Sequence, residues 1–191
     1  PIVLSGGNDS NYAITRVNGT LAVTRAAQAI TFAPLPAKTY GDGSFFLGAT
    51  ASSGLAVTYE SLHPAVATVS GNQVTIVAAG SATLRASQAG DSRYEPAPPA
   101  NQTLTVNKRT LTVRAENKTR LYGVANPPLT QVITGYVTGD GLADLDTPPT
   151  AGTTADENAD VGTHAITPAG GSDNNYDFNY VAGTLTITKA T

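Results

Sequence analysis

The chain has 191 residues, no cysteine, methionine or tryptophan, and a formal charge of −3 at neutral pH. This excludes disulfides, thiolate metal sites and cysteine nucleophiles, and with no basic run it excludes the electrostatic footprint of a nucleic-acid binder. No stretch of about 18 apolar residues is present to insert in a membrane, while 19 Gly, 12 Pro and a charged fraction of only 13% suit many short strands joined by turns.

Residues 1–26 read as the closing part of a repeating unit. The chain opens at Pro1 rather than Met, without a signal peptide, as expected of a piece of a longer protein. Residues 2–26 align without gaps to residues 166–190 and share 12 of 25 positions, including Gly6/Gly170, Gly7/Gly171, Asp9/Asp173 and Tyr12/Tyr176. Asp91-Ser92-Arg93-Tyr94 lies midway, 82 residues from each of the other Asp-x-x-Tyr sites. A closing strand also recurs, as TLAVTR at 20–25, TLTVNK at 103–108 and TLTITK at 184–189, and a Tyr-Gly step recurs at Tyr40-Gly41 and Tyr122-Gly123. The repeat divides the chain into a remnant (1–26), a second unit (27–108) and a third (109–191). The remnant is expected to carry two or three strands. Its apolar side (Ile2, Leu4, Ile14, Leu21, Val23) needs cover from the second unit or from another copy, because an isolated hairpin is marginal in water.

In the second unit the alternation predicts seven strands, near 29–33, 44–50, 55–60, 65–69, 73–77, 81–88 and 102–107, with turns at Ser61-Leu62-His63-Pro64, Ser70-Gly71-Asn72 and Ala79-Gly80. Seven strands at this spacing predict a β-sandwich. Only Asn107-Lys108-Arg109-Thr110 separates its last apolar pair from Leu111 and Val113, and a joint so short restricts rotation. In the third unit strands are predicted near 110–116, 129–136, 148–154, 162–168, 176–181 and 184–189. The segment 140–145 reads as one helical turn with Asp140 as N-cap, which points to a mostly-β, grasp-like module. The expectation is an all-β chain with its units end to end.

Two resemblances rest on these residues. Residues 57–90, through Ser61, Pro64, Val66-Ala67, Val69, Val74-Thr75 and Gly80, resemble the Big-type bacterial immunoglobulin-like domain. Residues 111–123, Asn126-Pro127, Gly135-Tyr136-Val137, Gly139-Asp140, Val161-Gly162-Thr163 and the closing segment from Asn175 resemble the MBG domain of the Tyr-Gly-X type, with Val124 where Asp is common. Residues 1–26 resemble only the end of such a domain. The resemblance implies tandem modules of a large exported, adhesin-like protein at the bacterial cell surface, with no catalytic set to transfer.

The chemistry-bearing residues have bland readings. His63 precedes a proline in a turn and His164 sits on a predicted strand, and neither spacing assembles a triad. Asp156-Glu157-Asn158-Ala159-Asp160 and Asp173-Asn174-Asn175-Tyr176-Asp177 offer hard oxygens of the kind Ca²⁺ prefers, against a reading as hairpin tip and Asx turn. The Gly pairs at 6–7 and 170–171 read as turns. Tyr136 and Tyr180 suit sugar stacking or strand packing, and Lys38, a candidate for a Lys–Asn crosslink, lies in a turn-like stretch. For Asp9, Asp91 and Asp173 the choice is between ligands and caps that accept backbone N–H groups, each followed by a Tyr that starts a strand. No residue is assigned a catalytic, cofactor-binding or metal-binding role. The chain therefore reads as a non-catalytic stalk whose partners are neighbouring repeats. The alternatives are recognition of a glycan or surface protein, with 136–160 as the divergent candidate, and an accessory role beside an extracellular hydrolase.

Overall fold

A computed structural model describes residues 3–7, 10–11 and 13–190. The fold is all-β and of β-sandwich type. Strand pairing falls into two sets that share no sheet. The first comprises β1 (Ile30–Phe32), β2 (Lys38–Thr39), β3 (Phe45–Phe46), β4 (Ala49–Ala51), β5 (Thr58–Ser61), β6 (Ala67–Ser70), β7 (Gln73–Ile76), β8 (Gly80–Gln88) and β9 (Ala97–Asn107). They form a sheet β2-β9-β8-β5, a sheet β3-β7-β6 and a pair β1-β4. The strict alternation of β8 sends Ala82, Leu84 and Ala86 inward, all fully buried, against Leu104, Val106, Val74 and Phe32.

The second set comprises β10 (Arg109–Ala115), β11 (Lys118–Leu121), β12 (Gln131–Thr134), β13 (Thr150–Gly152), β14 (Gly162–Ala169), β15 (Tyr176–Val181) and β16 (Gly183–Thr188). Its sheets are β12-β10-β15 and β11-β16-β14-β13. Leu185, Ile187, Ile166 and Ala115 fill one core cluster, and Leu111, Leu145 and Tyr176 a second. Gly183 permits a close crossing: a Cβ there would stand 2.6 Å from the Ala115 carbonyl oxygen. Among the described residues no helix is long and apolar enough to cross a membrane.

Four expectations are corrected. The predicted strand 44–50 is broken at Leu47-Gly48, so that β3 pairs with β7 and β4 with β1, while Leu47 is buried between them. β9 begins at Ala97 rather than near 102, and a register shift between Ala86 and Gln88 falls opposite Pro98-Pro99, which have no N–H to donate. The helical turn is a single 3-10 turn, Leu142–Asp144, preceded by Gly141. Asp140 does not cap it; the Asp144 carboxylate accepts the Gly141 N–H at 2.8 Å. Finally, the described residues of 3–25 form no strand. Leu4, Ile14, Val17, Leu21 and Val23 are half or more exposed, and the described contacts to the first set come at the end of the segment, where Arg25 pairs with Glu95 at 2.8 Å and Ala26 is bridged to Tyr94. Strands need partners, and among the described residues no sheet receives them. Ile2, Asp9 and Tyr12 lie outside the described residues.

Two strands escaped the sequence reading. β2 pairs in parallel with β9, Lys38 beside Val106, and β11 in parallel with β16, Lys118 beside Leu185. Both are short and polar, and their pairing is non-local, so no local periodicity marks them.

Leu104 is fully buried at the centre of the first core. Leu104→Ala is expected to destabilise the protein by about 3 kcal/mol, through lost transfer energy and the cavity left behind; urea unfolding measures it.

Candidate functional site

Strand register decides what meets what. β2 and β9 run out at the same end of the first set, where β8 begins, so Tyr40, Lys108 and Ala79 emerge together. In the second set β10 and β15 start side by side in parallel, Arg109 beside Tyr176, and β12 ends there, Thr134 beside Thr112. The turns after β12 and before β15 therefore face the Tyr40 end, across the single residue Lys108.

The two ends interlock. The Tyr40 hydroxyl donates to Asp140 Oδ2 at 3.0 Å, and the Tyr176 hydroxyl donates to the same oxygen at 2.6 Å while accepting the Val137 N–H at 2.9 Å. The Tyr40 and Tyr176 rings meet edge to face, centroids 5.4 Å apart, and Tyr136 meets Tyr176 likewise at 5.8 Å. Tyr40 thus packs into the core cluster of Leu111, Leu145 and Tyr176. Asn175 Oδ1 accepts the Ala79 N–H at 2.8 Å, and Lys108 Nζ donates to the Asp173 carbonyl at 2.7 Å. Gly41, at φ +84°, lies so close to Val137 that an added Cβ would stand 2.3 Å from its Cγ2.

The Asp-x-x-Tyr turns build this surface. Asp173 Oδ1 accepts the N–H groups of Asn175 (2.7 Å) and Tyr176 (3.0 Å), and Asp91 Oδ1 those of Arg93 (2.7 Å) and Tyr94 (2.8 Å). The turns thus take the capping form, and those hydrogen bonds hold the Asp91 carboxyl below its ordinary range. Tyr176 starts β15 with its ring buried. Tyr94 instead forms a bridge to Ala26, with the Ala26 N–H on the Arg93 carbonyl at 2.7 Å. The Arg109 N–H reaches the Asn175 carbonyl in the same way at 2.9 Å. The segment after Asp140 is stitched to the Asp173 turn: Asp173 Oδ2 accepts the Asp146 N–H at 3.2 Å, and Asp146 Oδ2 accepts both N–H and Nδ2 of Asn174 at 3.1 and 2.8 Å.

The remaining candidates are placed apart. His63 Nδ1 accepts the Thr83 N–H at 3.1 Å, and His164 Nε2 lies 2.8 Å from the Asp160 carbonyl. Asp156 Oδ1 accepts the Asn158 N–H at 3.0 Å, and among the described residues no three His, Asp or Glu side chains converge as a metal site. Lys38 Nζ sits 4.9 Å over the Phe45 ring. Tyr180 stacks on Phe178, and its hydroxyl accepts the Gly171 N–H at 2.9 Å. The sequence reading missed Arg120, which is buried on β11 and donates to Asn126 Oδ1 at 2.7 Å and to the Asp156 carbonyl, tying two loops together. It also missed the pairing of Tyr40 with Asp140, whose only signal was the recurrence of Tyr-Gly.

Burial first, and then the hydrogen bond to Asp140, raise the phenol pKa of Tyr40 and Tyr176; burial likewise raises that of Tyr136. The unfolded phenols ionise from their ordinary value of 10.0, whereas the folded ones hold their protons longer. Stability carried by these rings is fully present below pH 10 and declines as pH rises above it. Chemical denaturation from pH 8 to 11.5 should show that profile. Tyr40→Phe removes a hydrogen bond to a carboxylate and should lower stability by about 2 kcal/mol. A double-mutant cycle with Asp140→Asn should be non-additive.

A search of curated proteins finds no match. Among solved structures, Drosophila N-cadherin EC1-3 shows 12% identity and a TM-score of 0.29 over 85% of this chain and 68% of its own. The S-layer protein rSbsC(31-844) shows 15% and 0.31 over 86% and 28%, so the chain spans under a third of it. The fibronectin(III)-like modules of Clostridium thermocellum CbhA show 14% and 0.27 over 84% and 95%. Superposition at that level does not establish a shared fold. In sequence, residues 111–186 match the MBG domain (YGX type) family, so the segment that supplies the Asp140 half of the joint is MBG-like.

Proposed function

We propose that this chain is a non-catalytic spacer, a length of stalk from a large exported bacterial surface protein of adhesin type. Its modules would be 27–108, immunoglobulin-like, and 109–191, of MBG type, with 1–26 as the remnant of a preceding one. One observation carries the reading: Asp140 accepts hydrogen bonds from the hydroxyls of Tyr40 and Tyr176, which lie on either side of the joint. A three-way contact with packed rings and one linking residue resists bending and twisting, which is what a stalk requires and a flexible tether does not. The MBG match of residues 111–186 supports the surface setting.

A stacking platform for glycans would need free aromatic faces. Tyr136 and Tyr176 are committed to the joint and Tyr180 stacks on Phe178, and the first part of the divergent segment, from Tyr136 to Asp146, is occupied in building the Asp140 surface. The partners the reading implies are neighbouring modules.

Small-angle scattering should give an elongated particle whose maximum dimension changes little between low and high salt, and a glycan and matrix-protein array should show no saturable binding. A compact particle, or a saturable ligand lost on substitution within 136–160, would overturn the spacer reading.

A further inference from the structure

The far end of the second set repeats the near side of the joint. Tyr40 donates its backbone N–H to the Asn107 carbonyl, and Tyr122 donates its own to the Thr188 carbonyl, both at 2.9 Å. Asn107 and Thr188 hold the same place in the closing strands TLTVNK and TLTITK. Gly80 pairs with Val106 and Gly162 with Ile187, which are again matching positions. Register therefore places Tyr122 where Tyr40 would be, Gly123 where Gly41 would be, Val161 where Ala79 would be and Lys189 where Lys108 would be. Gly123 keeps the positive φ of Gly41, +77° against +84°.

The two ends differ in what covers them. Tyr40 and Gly41 are packed against the Asp140 surface, whereas Tyr122 is 46% exposed and Gly123 has open space where a Cβ would be. Tyr122, Asp160, Val161, Lys189 and Ala190 line a hollow of about 600 Å³. The loop that leads to Asp160 is tied to β11 by Arg120, which donates to the Asp156 carbonyl.

We infer that the Tyr122-Gly123 end is a docking face for a second module of the 109–191 kind joined after Lys189, which would seat Tyr122 against its own Asp140 and Tyr176. This inference rests on the spacer reading and deepens it. The 109–191 segment carries both halves of the joint, Tyr122-Gly123 at one end and Val137, Asp140, Asn175 and Tyr176 at the other. Such a head-to-tail contact leaves one half of the joint free for the next neighbour, so modules of this kind can be added in series. Ala79, whose N–H meets Asn175 Oδ1, is matched by Val161, which supplies the same backbone donor. Lys189 supplies the ammonium that Lys108 gives to the Asp173 carbonyl.

The test is a fusion in which residues 1–189 are followed directly by a second copy of 109–191, studied by residual dipolar couplings with and without Tyr122→Ala. The expected result is one alignment tensor shared by 27–108, 109–189 and the added copy, with the Tyr122 ring signals shifted from their position in the unfused chain. In Tyr122→Ala the added copy should lose the shared tensor while 27–108 and 109–189 keep it; Tyr122 is on the surface, so its removal leaves the core intact. A locked first joint with a freely oriented added copy overturns the inference and leaves the spacer reading standing. So does an added copy that stays locked without Tyr122, or one that fails to fold on Lys189 although the same sequence folds on Lys108. Independent tensors at both joints would overturn both.

Discussion

One oxygen of Asp140 receives two phenol hydroxyls from residues 100 and 36 positions away in the chain. A carboxylate partly withdrawn from water needs donors, and here they come from both sides of a boundary between two sheet systems. Satisfying it draws the boundary together. The aromatic edges then pack, Gly41 fits beneath Val137 because it has no side chain, and Asn175 and Lys108 fasten the rim.

The geometry of that contact follows from parallel pairing. A parallel neighbour to the closing strand, β2 in one case and β11 in the other, delivers its following residue to the end of the sandwich where the chain leaves it. Parallel entry of β10 beside β15 likewise brings the Asp173 turn to the point where the chain enters the second set. The exit of one sheet system and the entrance of the next are thus built from residues that local hydrogen bonds already hold. The Asp173 turn is tied through Asp146 and Asn174 by hydrogen bonds within its own half, and a contact surface ordered in that way costs less entropy on docking. The contact between the two halves is made by the ends, and the interiors are free to differ.

Most of the strands were legible because period-two alternation directly expresses the demand that one face be buried: Ala82, Leu84 and Ala86 on β8, or Leu185 and Ile187 on β16. The capping geometry of Asp91 and Asp173 was also legible, since an Asx turn is local chemistry within three residues. What failed was non-local. β2 and β11 have two and four residues and no apolar pattern, and they exist only because a closing strand passes beside them. Asp140 looked like a helix cap because the helical turn was read by itself; its partners are set by the packing of distant rings.

The sequence determined the all-β class, the turn positions, the alternating cores and the recurrence of Tyr-Gly and Asp-x-x-Tyr, all of which are short-range or periodic properties. The tertiary structure alone decided which copies of those signals become structure. Residues 166–190 and 2–26 share 12 of 25 positions, yet the former contain β15, β16 and the end of β14, whereas the described residues among 3–25 form no strand. β15 and β16 have β10, β11 and β14 beside them to complete their hydrogen bonds and cover their apolar faces, and among the described residues no strand does so for the earlier copy. A strand's sequence sets which face it can bury; whether it is a strand at all depends on neighbours that the segment itself does not encode.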